Sequence, residues 1–451
     1  MENIGSALLD LRKRMLRMQP GKKNELVRSG IRLAMDQAGK AKAMMALGIP
    51  GLLLAWMTSG IAPMAFGQDA AATGNEPPAI APDAGQVPES DSSPLAQAYR
   101  EQLAELKNQM KNLRRKIVEH HTDLSADRDS KLEEWQKVSQ ATREASQRFR
   151  KAAIDLYRSD SQRYSTVGDL LFGMLQEECE ADRFDGMNEV GKVLVEQKYP
   201  NPNLDGIAGL AAFGEHDFEF SEQCLRRAIQ GGVDTAVPPQ VLQSIEQLKE
   251  DWKKELELRE AEAQADDLPR VRISTTKGVI VLELFEDDAP ETVANFLYLA
   301  KNGFYDGRPI FRVLKHFVAQ TGCERGDGSG SAGYTVRGEM KSPRARKHFR
   351  GSVAVALGSD PVTQATDYDS GSAQFFFDLL ASPPMNGEYC VFGRVIEGME
   401  VLGELTKIDL SSKDAKEEYA GVNPDSMVRV EIVRQRNSSY IPKPLTGKLP
   451  F

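Results

Sequence analysis

The stretch from 270 to 290 reads Arg270-Val271-Arg272-Ile273-Ser274-Thr275-Thr276-Lys277-Gly278-Val279-Ile280-Val281-Leu282-Glu283-Leu284-Phe285, then Asp288-Ala289-Pro290. Val271 to Thr275 alternate in polarity, Lys277-Gly278 supplies a turn, and Val279 to Phe285 form a second run. That is the pattern of a strand hairpin. Asp288-Ala289-Pro290 opens a helix that runs to Asn302, with proline near its first position and Gly303 just past its end. Short strands are predicted again at 375–379, 389–395 and 428–433. Many short strands, two helices and no strand-helix-strand alternation predict a closed antiparallel β-barrel with two capping helices.

Upstream of this unit the period changes to that of a helix. Leu103, Leu106, Met110, Leu113, Ile117 and Leu124 recur at three, four and seven. Trp135, Val138, Thr142, Ala145, Phe149, Ala152 and Leu156 repeat the pattern after a four-residue frame shift near Ser125 to Ser130. Residues 95–158 are therefore a helical hairpin or a stuttered coiled coil, and the polar connection favours the hairpin. Such arms either pair with a second copy or pack on their own chain. Residues 159–267 read as short helices broken at Asn201-Pro202-Asn203, Gly231-Gly232 and Val237-Pro238-Pro239. Within them, 204–230 faintly resemble one tetratricopeptide helix pair, too few repeats for a solenoid. A protein partner or self-association is expected through residues 95–262.

The first ninety residues read as delivery. Residues 1–42 carry a net charge of +6, and residues 43–66 carry no charge at all. Ala65-Phe66-Gly67 and Ala70 follow as a small-residue pattern. Residues 1–67 thus form a basic extension plus a signal peptide or membrane anchor, the anchor lying at 43–66. Prolines and glycines within the apolar run favour cleavage over spanning. Either a long cytoplasmic extension precedes the signal or Met35 is the start. Residues 68–94 hold five prolines, five acids and no Lys or Arg, and are predicted as a disordered Pro/Ala-rich linker. The bulk of the chain is expected to be secreted or periplasmic, or membrane-anchored with its main domains extracytoplasmic.

Composition narrows the class. The chain has 451 residues, enough for several domains, and a formal net charge of −9, which argues against nucleic acid as a partner. Four scattered cysteines with no CxxC pair give neither a disulfide scaffold nor a zinc site. Adjacent His120 and His121 point to different helix faces and make no metal pair. Gly326, Gly328 and Gly330 lack the Lys-Ser/Thr of a phosphate loop. Asp360, Asp367 and Asp369 lack the spacing of a calcium loop. Lys341, Arg344, Arg346, Lys347 and Arg350 read as a solvated basic loop, with recruitment of acidic clients as the functional alternative.

Further residues stand in order between 270 and 436. Thr292, Val293, Asn295 and Phe296 follow Pro290; then come Phe304-Tyr305-Asp306-Gly307, Ile310-Phe311-Arg312-Val313, Phe317 and Gln320. Gly328-Ser329-Gly330-Ser331-Ala332-Gly333-Tyr334, Gly351-Ser352-Val353-Ala354-Val355-Ala356, Gln374-Phe375-Phe376, Val391-Phe392-Gly393-Arg394-Val395 and Glu397-Gly398-Met399 complete the set. Together they resemble the cyclophilins, the peptidyl-prolyl cis-trans isomerases, over residues 268–436, leaving 437–451 as a tail.

The resemblance implies an enzyme that needs no cofactor and no metal. It assigns catalysis to Arg312, with Gln320 orienting it. Phe317, Val318, Phe376 and Met385 match the apolar pocket for the proline ring. Ala356, Leu357 and Gly358 match the segment that holds substrate by its backbone. Gln374, Gly328 and Tyr389 match further substrate contacts. Pro384 stands where many members have a tryptophan that touches cyclosporin, Leu357 replaces an asparagine, and Val318 replaces a methionine. The substrates implied are proline-containing peptides or unfolded proteins, and the expected role is to assist folding of extracytoplasmic proteins. The alternative is a catalytically weak scaffold or binding module with a helical partner-binding region. Residues 268–436 are expected to fold and isomerise alone.

Overall fold

The computed structural model describes residues 85–122, 128–359, 365–436 and 439–451. The basic extension, the apolar stretch at 43–66, the linker up to 84, the side chains of His120 and His121, and Asp360 lie outside the described residues. Among the described residues no helix is long and apolar enough to cross a membrane.

The predicted hairpin is present. Helix α1 (Pro94–Thr122) packs against α2 (Arg128–Ser159). Three contacts fix an antiparallel register: the Tyr99 and Phe149 rings at 5.3 Å, the Thr142 hydroxyl oxygen 3.4 Å from the Gln109 carbonyl, and Lys116 paired with Glu134. Leu106, Met110, Leu113, Ala145, Phe149 and Leu156 are buried as the spacing predicts. Ala153 is buried where Ala152 was expected. Residues 85–93, expected within the linker, are ordered. Asp91 is buried, accepts from the Tyr164 hydroxyl at 2.6 Å and pairs with Arg163. Gly85 and Gln86 bond to Thr166. Residues 85–93 thus pack against residues 163–166, since one buried carboxylate with two polar partners can order a chain that has little apolar surface to bury.

Helices α3 (Ser165–Glu180), α4 (Met187–Glu196), α5 (Leu204–Gly214), α6 (Phe218–Gln230) and α7 (Ile245–Ala265) complete the helical body. Small residues allow α5 its close contacts: Gly209 lies against Leu225 of α6, and Gly191 of α4 against Ala208. This is a helix pair where one was read, without the further repeats that a tetratricopeptide array requires.

Asp266, in the left-handed region, ends α7, and Pro269 leads into β1 (Arg270–Thr275) and β2 (Val279–Leu284). Helix α8 (Pro290–Lys301) has proline in its first turn and Gly303 at φ +69° beyond its end, as predicted. The remaining elements are β3 (Arg312–Leu314), β4 (Val318–Thr321), β5 (Tyr334–Thr335), β6 (Ser352–Val355), β7 (Phe375–Asp378), β8 (Val391–Glu397), α9 (Met399–Gly403), β9 (Ile408–Asp409), α10 (Ala415–Glu418), β10 (Met427–Arg434) and β11 (Thr446–Gly447).

Nine strands form one antiparallel sheet in the order β10-β1-β2-β8-β6-β7-β4-β3-β9. The expected closed barrel is seen as a curled sheet. Its ladder order is linear, and the chain ahead of β3 bonds to Asp425 and to Met427, the first residue of β10, through Gly307, Arg308 and Ile310. Phe296, Phe375, Phe377 and Phe392 fill the concave side. The terminal segment is part of this unit: β11 pairs with β5, and the Tyr440 hydroxyl donates to Glu286.

The basic run at 341–350 is not a solvated loop throughout. Arg346 and Arg350 are 5% and 8% exposed, and Phe349 is fully buried against the helical body. Phe349 meets Trp252 at 4.9 Å, and His216 stacks on Trp252 at 4.0 Å. Burial drives the His216 imidazole well below its ordinary pKa, so it packs as a neutral ring. Arg346 reaches Glu255 and Glu262 of α7 at 3.1 and 2.6 Å, and Asp288 at 3.1 Å. Arg394 joins Glu262 to Glu283, and Arg350 pairs with Asp185. A run of cations is stable here because the facing helix supplies the carboxylates that neutralise it.

Candidate active site

Strand registry brings the expected residues together. Arg312 on β3 lies opposite Gln320 on β4; Gln320 lies opposite Phe376 on β7; Phe376 lies opposite Ala354 on β6. One row therefore crosses four neighbouring strands. Alternation decides which face it occupies. Phe375 and Phe377 enter the main core, whereas Phe376 joins a second cluster with Val318, Ala354, Met385 and Val391. Phe285 and Leu268 extend that cluster toward the helical body, and Ala356 and Tyr389 edge it.

Phe376 and Val318 are buried, Met385 is nearly so, and the Phe317 ring is 39% exposed. The result is an apolar floor, with the exposed Phe317 immediately before Val318 in the chain. Tyr389 stands edge-on to Phe376 at 5.5 Å. Behind Phe376 lies a pair that sequence reasoning missed. The His348 ring stacks beside Phe376 at 6.1 Å, and its Nδ1 is 2.8 Å from Asp378 Oδ2. Burial pushes the Asp378 carboxyl up, and His348 partly offsets this. His348 sits within the basic run and Asp378 ends a strand, so no spacing joins them in sequence.

The polar side differs in detail from expectation. The Arg312 guanidinium is about a quarter exposed, and its Nε lies 3.4 Å from Asp409 Oδ2, its register partner on β9. Gln320 turns its amide to Gln374, donating to Oε1 at 3.0 Å, rather than to Arg312. Gln374 donates in turn to the carbonyls of Gly328 and Gly330 at 2.8 and 2.7 Å. The glycine loop is therefore tied to the sheet. Gly328 has φ +84°, and an added Cβ would crowd Phe311 at 3.2 Å, which explains glycine there.

The 356–358 segment divides. Ala356 donates its N–H to the Gln374 carbonyl at 2.9 Å, and Gly358 donates to Ser370 Oγ. Leu357 packs against the main core and does not line the pocket, so asparagine's replacement there removes no pocket wall.

The family described as cyclophilin type peptidyl-prolyl cis-trans isomerase/CLD matches residues 270–431. A peptidyl-prolyl cis-trans isomerase of Helicobacter pylori is 41% identical over 140 residues, which span 31% of this chain and 80% of the relative. The chain belongs to the cyclophilin-type peptidyl-prolyl isomerases. Peptidyl-prolyl cis-trans isomerase B of Bacillus subtilis is 37% identical over 131 residues, spanning 29% of this cyclophilin and 85% of the relative. Among solved structures, a Cryptosporidium parvum cyclophilin shares 26% identity and covers 38% of this chain and 99% of that one, with a TM-score of 0.32. The family match stops at the helical body, so residues 85–265 are an addition to the cyclophilin domain of this chain.

Proposed function

We propose that this cyclophilin isomerises Xaa-Pro bonds of extracytoplasmic proteins and so assists their folding. The row Arg312-Gln320-Phe376-Ala354 beside an apolar floor is the observation that carries the reading. Amide resonance sets the rotation barrier at ~18–20 kcal/mol. A twisted C–N bond localises a lone pair on the prolyl nitrogen. Phe317, Val318, Phe376 and Met385 hold the ring in either planar state. Arg312 donates an N–H to the nitrogen only when it pyramidalises. An interaction felt mainly in the twisted state speeds the reaction, whereas equal binding of both states does not. Asp409 fixes the guanidinium at its Nε edge, which leaves the terminal nitrogens as donors. Gln320, Gln374 and the Gly328 carbonyl form the polar wall, and Ala356 with its neighbours takes the substrate backbone.

Proline-containing peptides and unfolded chains are the substrates this site suits. The Cryptosporidium cyclophilin was also solved in the presence of the dipeptide Ala-Pro. The charge-free stretch at 43–66 behind a basic segment supports an extracytoplasmic site of action. An alkaline phosphatase reporter joined after residue 94 tests that placement. High reporter activity is the expected result, and activity confined to a cytoplasmic reporter contradicts it. Protease-coupled cleavage of an Xaa-Pro peptide, with the full chain added, tests the activity itself.

The groove rim gives a further expectation. Pro384 is exposed in the single turn Pro383–Met385, directly before Met385 of the pocket. Proline offers less flat apolar area than tryptophan and no indole N–H. Cyclosporin therefore inhibits the wild type poorly, and Pro384→Trp tightens inhibition by about tenfold, or ~1.4 kcal/mol. An inhibition titration decides it. Tight inhibition of the wild type, unchanged by the substitution, contradicts this role for Pro384.

A further inference from the structure

The hairpin that carries Arg312, Phe317 and Gln320 is held from outside the cyclophilin domain. Its turn is closed by the Phe317 N–H donating to the Leu314 carbonyl at 3.1 Å, with Lys315 and His316 between them. His316 has φ +58°, a left-handed conformation that favours glycine and strains a histidine. Its partner is Asp182, which follows α3 in the helical body and is itself left-handed at φ +60°. Asp182 Oδ1 accepts the His316 backbone N–H at 2.8 Å and lies 2.7 Å from His316 Nδ1. Lys407 Nζ lies 2.8 Å from Oδ2. The Asp182 side chain is fully buried. Burial alone raises its carboxyl pKa, but the His316 hydrogen bond and the Lys407 charge outweigh that and hold it below the ordinary value. Lys315 pairs with Glu180, and the Phe184 ring lies 6.2 Å from His316. Two strained residues from two parts of the chain thus face one another through one carboxylate.

We infer that Asp182 is a positioning residue for the isomerase site: by holding His316 left-handed it sets Phe317 at the pocket mouth. Phe317 is the next residue, and its carbonyl accepts the Leu379 N–H at 2.9 Å, so its backbone is fixed on both sides of the ring. Without the carboxylate, His316 relaxes toward an unstrained φ, and the direction of the following residue turns with it. The helical body is then a working part of the groove, and not merely a partner-binding appendage. Asp182 touches no substrate in this account. The inference rests on the isomerase reading above.

Four full-length proteins test it: wild type, Asp182→Ala, His316→Gly and the double variant. Isomerisation and binding of one Xaa-Pro peptide are followed for each. Misplacement of a positioning element by about an ångström has large effects on a site, so Asp182→Ala is expected to lower kcat/KM by about tenfold. Phe317 grips the ring in planar and twisted states alike, so the loss falls in KM and in peptide affinity more than in kcat. Glycine adopts the left-handed turn without help. In the His316→Gly background, Asp182→Ala therefore costs less than about twofold. Equal losses in both backgrounds overturn the inference, because Asp182 then acts through general stability. No loss in either overturns it as well. A wild type that binds the peptide without turning it over removes the isomerase reading and this inference with it. If Asp182→Ala fails to fold, Asp182→Asn keeps the shape and one acceptor while losing the charge. Its expected loss is about threefold, again confined to the His316 background.

Discussion

Arg312→Ala lowers kcat/KM for an Xaa-Pro peptide by about 10²–10³, the ~2.7–4 kcal/mol that one preorganised donor at a developing charge supplies. Arg312 lies across β3 and β4 from Gln320, beside the row that ends at Phe376, and Asp409 holds its Nε edge. The donor is rigid before the bond twists, so no reorganisation is needed at the barrier. The apolar floor of Val318, Phe376 and Met385 is untouched by the substitution. Peptide affinity consequently changes by much less than the rate. A protease-coupled assay reads the first quantity and an NMR titration the second. Equal catalysis by wild type and variant contradicts the role of Arg312. Equal loss of affinity and rate makes it a ground-state binding group.

Arg346→Met destabilises the full chain by about 3–5 kcal/mol, the range for removing one partner from a buried ion cluster. Glu255, Glu262 and Asp288 converge on this one guanidinium, which also lies 3.9 Å over the Phe285 ring. Methionine restores volume but not charge, so three carboxylates face one another with less compensation. Neighbouring Arg344 pairs with Asp288 from an exposed position, its side chain 64% accessible. Arg344→Ala is expected to cost under about 1 kcal/mol, as exposed pairs do. Urea unfolding followed by tryptophan emission compares the two, because Trp252 is packed against Phe349 in the same interface. Similar midpoint shifts for both variants contradict a welded interface. The isolated segment 268–436 keeps the main aromatic core but bares Phe349, Arg346 and Arg350. It is expected to be less stable and less soluble than the full chain.

The fold was legible where the pattern was local. The two-residue period from Val271, the proline and glycine bounding α8, and the three-four spacing of α1 and α2 each predict an element within a residue or two. The candidate site was legible only as an ordered residue set, and strand registry brings Arg312, Gln320 and Phe376 of that set side by side. What sequence could not supply was long-range pairing. Charge clustering at 341–350 reads as solvation, since the sequence does not show that α7 places Glu255 and Glu262 against it. Leu268-Pro269 lies between α7 and β1, and Leu268 is buried in the cluster that floors the pocket, a contact the sequence does not show. The His348–Asp378 and Asp182–His316 pairs join residues 30 and 134 apart, with no shared motif. Resemblance pairs Gln320 with Arg312, whereas its amide turns to Gln374.

An active isomerase accelerates rotation about the prolyl bond and does more than bind proline-containing segments. Exchange NMR on an Xaa-Pro peptide, with the full chain present at catalytic amount, measures that rotation without a protease. Uncatalysed exchange takes tens to hundreds of seconds at 25 °C. With the isomerase present, cis-trans cross-peaks are expected to build up within about a second, at a rate proportional to protein concentration and lost in Arg312→Ala. Peptide resonances that shift on binding while the exchange rate stays at its uncatalysed value would contradict it, and would leave the chain a cyclophilin-fold binding module.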